Sequence, residues 1–176
     1  MSRLRSLAVA AAVTAAVLLF ALAVPLLNKA VSPAVDVGGE RFTLADGVTV
    51  TAPADTLMRP GHYRPESGRA EFLVGGAEVE IAVAGPYGFD AEYLADEMAR
   101  LLEVQPGVQL TEPRDCAADG VEGAGRGFVT ETGAGFACAF VHDDTRAEVT
   151  ARGASLDAAT VDRIDALIAR VSFGAA

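Results

Sequence analysis

Cys116 and Cys138 are the only cysteines in the chain, and three chemistries are open to such a pair. A redox couple would need the close C-x-x-C spacing that these residues lack, and a metal site would need more partners than two scattered histidines provide. A structural disulfide fits best, with two unpaired thiols as the alternative. Closing this loop stabilises a fold by about 3.4 kcal/mol in the chain-entropy description. His142-Asp143-Asp144 sets an imidazole beside two carboxylates, the residue types that hold a divalent cation or form a base and its orienting partner. Its place between two apolar alternating segments predicts a turn, because Asp is a routine turn former and neighbouring strand residues point to opposite faces. The segment Arg59-Pro-Gly-His-Tyr-Arg-Pro gathers Arg59, His62, Tyr63 and Arg64 in a stretch that proline and glycine keep irregular. Arg59 and Arg64 there are expected to fork onto a carboxylate or phosphate while Tyr63 stacks on a sugar or partner side chain. The competing account is a proline-stiffened crossover.

Other catalytic patterns fail on context. There is no G-x-S-x-G, and neither histidine sits in the surroundings of a nucleophile's base. Gly123-Ala-Gly-Arg-Gly lacks the preceding strand and following helix that a phosphate-cradling loop requires. Glu78 and Glu80 share one strand face, which an exposed sheet surface explains without glycosidase chemistry. No catalytic residue, metal ligand or cofactor is therefore assigned, and the chain is read as a non-enzyme.

The elements that must position these residues follow from periodicity. Phe42 and Leu44, then Val48 and Val50, alternate across Asp46-Gly47, which predicts a hairpin. Residues 53–68 carry three prolines and two glycines and predict a long loop. Residues 70–74 and 78–83, separated by Gly75-Gly76, predict a second hairpin with Val79, Ile81 and Val83 on its buried side. Asp90 is placed to cap a helix whose stripe is Leu94, Met98, Leu101 and Leu102. A short strand at 108–111 precedes a polar connection over 113–125. Residues 127–132, 136–142 and 146–152 predict an antiparallel meander. A last helix, capped by Ser155, carries Val161, Ile164, Leu167, Ile168 and Val171.

An apolar run from Leu7 to Leu27 precedes all of this. As a helix it spans about 31 Å, enough for the hydrocarbon core, and it exceeds the usual signal-peptide apolar segment. A retained transmembrane anchor is expected. The alternative is a signal peptide cut after Ala21-Leu22-Ala23 or Ser32-Pro33-Ala34, which would make the protein secreted. Arg3 and Arg5 before the run, against Lys29 alone after it, favour a cytoplasmic N-terminus. Residues 1–27 are thus read as cytoplasmic tip and anchor, 28–40 as a linker, and 41–176 as one extracytoplasmic α+β domain, a compartment that suits a cysteine bridge.

Beyond residue 34 stand 24 acidic residues against 11 arginines and no lysine, a formal charge of −13. Such a domain excludes nucleic acid and anionic head groups as natural partners. Arginine for nearly every cation, with abundant alanine, is what GC-rich codons produce and points to a GC-rich bacterial source.

The order hairpin, loop, hairpin, helix, strand, meander and C-terminal helix, closing on Arg170-Val171-Ser172-Phe173, resembles the PsbP-like fold. That fold is shared by extrinsic photosystem subunits, Ran-binding Mog proteins and LpqN-type envelope proteins of actinobacteria. The resemblance covers roughly residues 41 to 173 and has no diagnostic motif, so it transfers no functional residue. It implies an α/β/α sandwich, with an antiparallel sheet and two packed helices, and an adaptor role in the cell envelope. The expected activity is protein-protein docking. A carrier or sensor of a small envelope ligand such as a glycolipid is the alternative, and a hydrolase a distant third.

Overall fold

The computed structural model describes residues 33–174. The apolar run and its flanking arginines lie outside the described residues, and among these no helix is long and apolar enough to cross a membrane.

Among the described residues the first strand begins at Val35, six residues before the expected boundary. Strand β1 (Val35–Asp36) pairs antiparallel with β4 (Thr56–Met58). Asp36 Oδ1 accepts a bond from Gly38 N (2.8 Å), and Val37 is buried. The segment 35–40, expected to be linker, therefore belongs to the fold. The stretch 53–68, expected to be loop throughout, contains β4 and β5 (Tyr63–Arg64). Between its prolines Thr56 and Met58 are buried and Leu57 is exposed, a two-residue alternation too short to stand out in sequence.

The first hairpin forms as the sequence predicts. β2 (Arg41–Thr43) and β3 (Thr49–Thr51) pair with Phe42 opposite Val50, and Asp46 and Gly47 take the positive φ values, 52° and 74°, that the turn demands. It is not part of the main sheet. It forms a three-stranded sheet with β12 (Val171–Ser172), whose Val171 lies opposite Val50.

The main sheet runs β1-β4-β6-β7-β11-β10-β9-β8, with β5 pairing beside β6. Its remaining strands are β6 (Arg69–Val74), β7 (Ala77–Ala84), β8 (Gln109–Ala118), β9 (Val121–Thr130), β10 (Gly133–His142) and β11 (Thr145–Gly153). The expected polar connection over 113–125 is instead the long β8–β9 hairpin, turning at Asp119-Gly120 where φ is 39° and 83°. Pro113, the charged residues and a register shift between Leu110 and Pro113 conceal its alternation.

Helix α1 (Ala91–Glu103) starts as expected, with Asp90 Oδ1 accepting from Tyr93 N at 2.8 Å. It buries Leu94, Met98, Ala99 and Leu102 against Phe128, Ala137 and Ala139, covering β8, β9 and β10. Leu101, assigned to that stripe, is 66% exposed. Helix α2 (Ala158–Ile168) and the small sheet cover the opposite face, where Ile164, Leu167 and Ile168 join Phe72, Ile81, Phe140 and Val149 in the main core. One helix on each side gives the α/β/α arrangement.

The cap of α2 is Asp157 rather than Ser155: its Oδ1 accepts from Thr160 N at 2.7 Å. Hydrogen bonding from the Thr160 side chain, and then from its backbone N–H, holds the Asp157 carboxyl below its usual range. A lowered folded-state pKa means that the contribution is complete above the unfolded value and is lost as pH falls through the folded one. Asp157→Ala should lower the thermal midpoint at neutral pH, and the difference from wild type should shrink on acidification through the carboxylate range. Asp157→Asn should keep most of the cap without that pH dependence, as differential scanning calorimetry at stepped pH would reveal.

Candidate functional site

The cysteine bond is made, and it crosses a strand. Cys116 of β8 and Cys138 of β10 are bonded with Cα atoms 6.1 Å apart, although β9 runs between them. Two strand spacings in a flat sheet come to about 9.6 Å, so β8 and β10 curl toward each other over the inner face of β9. The glycines of β9 permit it. A Cβ on Gly125 would stand 2.8 Å from Cys116 Sγ and collide with Ala137 O, and one on Gly123 would meet the Phe140 ring at 2.5 Å. The glycine run that resembled a phosphate loop is a bare track for the disulfide and an aromatic ring. Arg114 fixes the same edge from above, with both Asp165 oxygens 2.7 and 2.8 Å from its Nη2 and its guanidinium 3.9 Å over Phe136.

The candidate recognition loop is stitched down rather than presented. Tyr63 donates its hydroxyl proton to Thr43 O (2.7 Å) and sets its ring edge-on to Phe42, which joins the loop to the small sheet. Arg59 Nη1 lies 2.9 Å from Glu78 and 3.9 Å from Glu71, and His62 Nδ1 lies 2.8 Å from the other Glu71 oxygen. Arg64 is exposed and donates from Nε to Gly61 O (3.3 Å). The expected fork of Arg59 with Arg64 is not assembled: Arg59 is engaged with sheet carboxylates, and Tyr63 faces the core. Register places the pairing partners, since Leu73, Glu78 and Arg152 share one row across β6, β7 and β11, and Glu71, Glu80 and Thr150 the next.

These rows belong to the outer face of the sheet, on the side of α1. Because α1 covers β8 to β10, the part built from β6, β7 and β11 is left open and carries the pairs Arg59–Glu78, Arg69–Glu80 and Arg146–Glu148. Beside it runs an edge of α1. Tyr87 donates to Glu97 Oε2 (2.7 Å) and lies under Arg146 of β11, which locates the Glu97 side of the helix next to the open strands. Partial burial and the Glu97 bond push the Tyr87 hydroxyl up to about 12. Along this edge and the helix's outer surface Phe89, Tyr93, Leu101 and Val104 are 58, 43, 66 and 78% exposed, and Phe89 stacks on Tyr93 at 4.5 Å.

Two grooves flank α1. At its C-terminal end one of about 490 Å³ is lined by Arg59, Leu73, Glu78, Phe128, Thr130 and Arg152 among others. At its N-terminal end a wider one, about 730 Å³, is lined by Asp90, Glu92, Asp115 and Glu122 with no basic residue. Asp143 and Asp144 form the predicted turn, with φ of 46° and 61°, and His142, the last residue of β10, has its Nε2 3.4 Å from Asp143 Oδ2. Among the described residues no cluster of three or more His, Cys, Asp or Glu is arranged to hold a metal ion.

No protein-family model matches the chain, and no curated protein matches it. A solved structure does: the solution structure of cyanobacterial PsbP from Synechocystis sp. PCC 6803 superimposes with a TM-score of 0.50 at 11% identity, over 77% of this chain and 92% of that one. At that identity the likeness speaks for architecture alone. The α+β domain of this chain has a PsbP-like fold.

Proposed function

We propose that this chain is a membrane-anchored, non-catalytic accessory protein of the bacterial cell envelope, whose extracytoplasmic domain docks on a protein partner along α1 and the open part of the sheet beside it. The observation that carries this reading is the exposed apolar edge of α1. Leu101 and Val104 stand more than 60% clear of the protein, next to the aromatic stack of Phe89 on Tyr93. Clustered exposed apolar residues with a polar surround mark interaction surfaces. The apolar run from Leu7 to Leu27 supports the anchor, and the Cys116–Cys138 bond suits an oxidising compartment. Tethering raises the local concentration of the domain, so modest contacts suffice. The acidic surface favours a partner that presents basic groups around an apolar centre.

A photo-crosslinking residue at Leu101 in the full-length chain, expressed in its native membrane, should give one dominant protein adduct. The same residue at Arg163, on exposed α2, should give none. Leu101→Asp combined with a crosslinker at Val104 should abolish the adduct. Equal labelling from both helices would sink the reading.

A further inference from the structure

We infer that the groove at the C-terminal end of α1 is a binding site for a small monocarboxylate with an apolar body, held at its carboxylate by Arg152. The groove adjoins the proposed docking surface and shares its open strands, but the experiment below reads ligand binding with no partner present, so either reading can fail without the other.

The argument begins with charge. The domain carries −13 overall, yet this groove is lined by two arginines, Arg59 and Arg152, and one acid, Glu78, with Glu71 standing 3.9 Å from Arg59 behind the lining. The two arginines are not equivalent. Arg59 is bonded to Glu78 at 2.9 Å. Arg152 stands opposite Glu78 in the ladder but joins no ion pair among the described residues. It extends over the ring of Phe128, its guanidinium carbon 5.7 Å from the centroid. A guanidinium so placed keeps its planar fork available, and that fork matches a carboxylate in two parallel hydrogen bonds.

The floor selects the rest of the ligand. Phe128 and Leu73 bring apolar surface up to Arg152, while the Thr130 hydroxyl in the lining is spent within the β9–β10 turn, donating to Gly133 O. The volume, about 490 Å³, lies within the range of small-molecule sites. The same charges select against a dianion: a phosphate monoester would set its second charge against the Glu78 carboxylate, whereas a monocarboxylate places its one charge at Arg152. The match is to an amphiphilic monoanion.

The test uses the full-length chain in lipid nanodiscs, with hexanoate as probe and hexanol and inorganic phosphate as controls, followed by the amide signals of Thr130 and Thr132 and the Nε–H signal of Arg152. Saturable shifts with hexanoate, absent with both controls, are expected. Arg152→Gln should weaken binding at least about tenfold, Arg152→Lys should fall between, and Arg64→Gln, outside the groove, should match wild type. Each variant is first required to reproduce the wild-type amide spectrum elsewhere, and if Arg152→Gln does not, Arg152→Lys alone decides the matter. No saturation at millimolar hexanoate, an equal response to hexanol or phosphate, or undiminished binding in the folded variants would overturn the assignment.

Discussion

Replacing Cys116 and Cys138 together by alanine should lower the unfolding free energy of the domain by about 3 kcal/mol, with a ceiling near 5. The bond joins residues 22 apart and removes loop-closure freedom from the unfolded chain. It also ties down β8, the last strand of the main sheet, which has a neighbour on one side only. Both cysteines are buried, Cys138 completely, so the double variant leaves a small void in addition. Urea titration of wild type and variant, followed by far-UV circular dichroism, measures the difference. Equal midpoints would show that Arg114 and Asp165 already hold that edge in place.

Gly125→Ala should be among the most damaging methyls that can be added to β9. The new Cβ meets a sulfur at 2.8 Å on one side and the Ala137 carbonyl oxygen on the other, and neither belongs to a flexible side-chain tip. Overpacking of this kind costs about 1 to 3 kcal/mol, and with backbone as one obstacle the upper part of that range is expected. Part of the effect depends on the bond itself. In the Cys116→Ala/Cys138→Ala background one obstruction is gone, so the same alanine should do less harm, a non-additivity that a double-mutant cycle reads directly. The single variant should also refold with more free thiol, quantified by alkylation and intact mass. If it is as stable as wild type with the bond fully formed, the crossing does not depend on a bare β9.

The parts of this architecture that sequence disclosed are those set by local backbone demands. Asp46-Gly47, Gly75-Gly76 and Asp143-Asp144 all adopt positive φ and reverse the chain where alternation changes direction. Asp90 caps α1 because a carboxylate before an apolar stripe has one obvious donor to satisfy. What stayed hidden depends on neighbours distant in sequence. The β8–β9 hairpin looks like a polar glycine loop because its inner side is shaped by Cys116 on β8 and Phe140 on β10, which occupy the space that side chains of β9 would fill. Leu101 completes an apolar stripe on paper, yet it sits at the rim of α1, where the sheet below has no helix to share. The loop from Arg59 to Pro65 shows the same limit. Its residue types advertise recognition, but Glu78 lies 19 positions further on and Tyr63 finds Thr43 20 positions back, so their engagement follows from how the strands and the two sheets pack together. Arg152 carried no sequence signal, being one arginine at the end of an ordinary strand, and its interest comes from having Phe128 beneath it and joining no ion pair among the described residues.

The small sheet has a consequence for the order in which the molecule can be finished. Its middle strand, β3, lies near the start of the domain, and one of its two neighbours is β12, which follows α2. Val50 is completely buried, with Val171 opposite it, so the early hairpin has one bare flank until β12 arrives. For a polypeptide that emerges N-terminus first, closure of the small sheet waits until α2 has passed. Any machinery that moves this domain handles an unfinished substrate until then, and β12 is the latch that locks it shut.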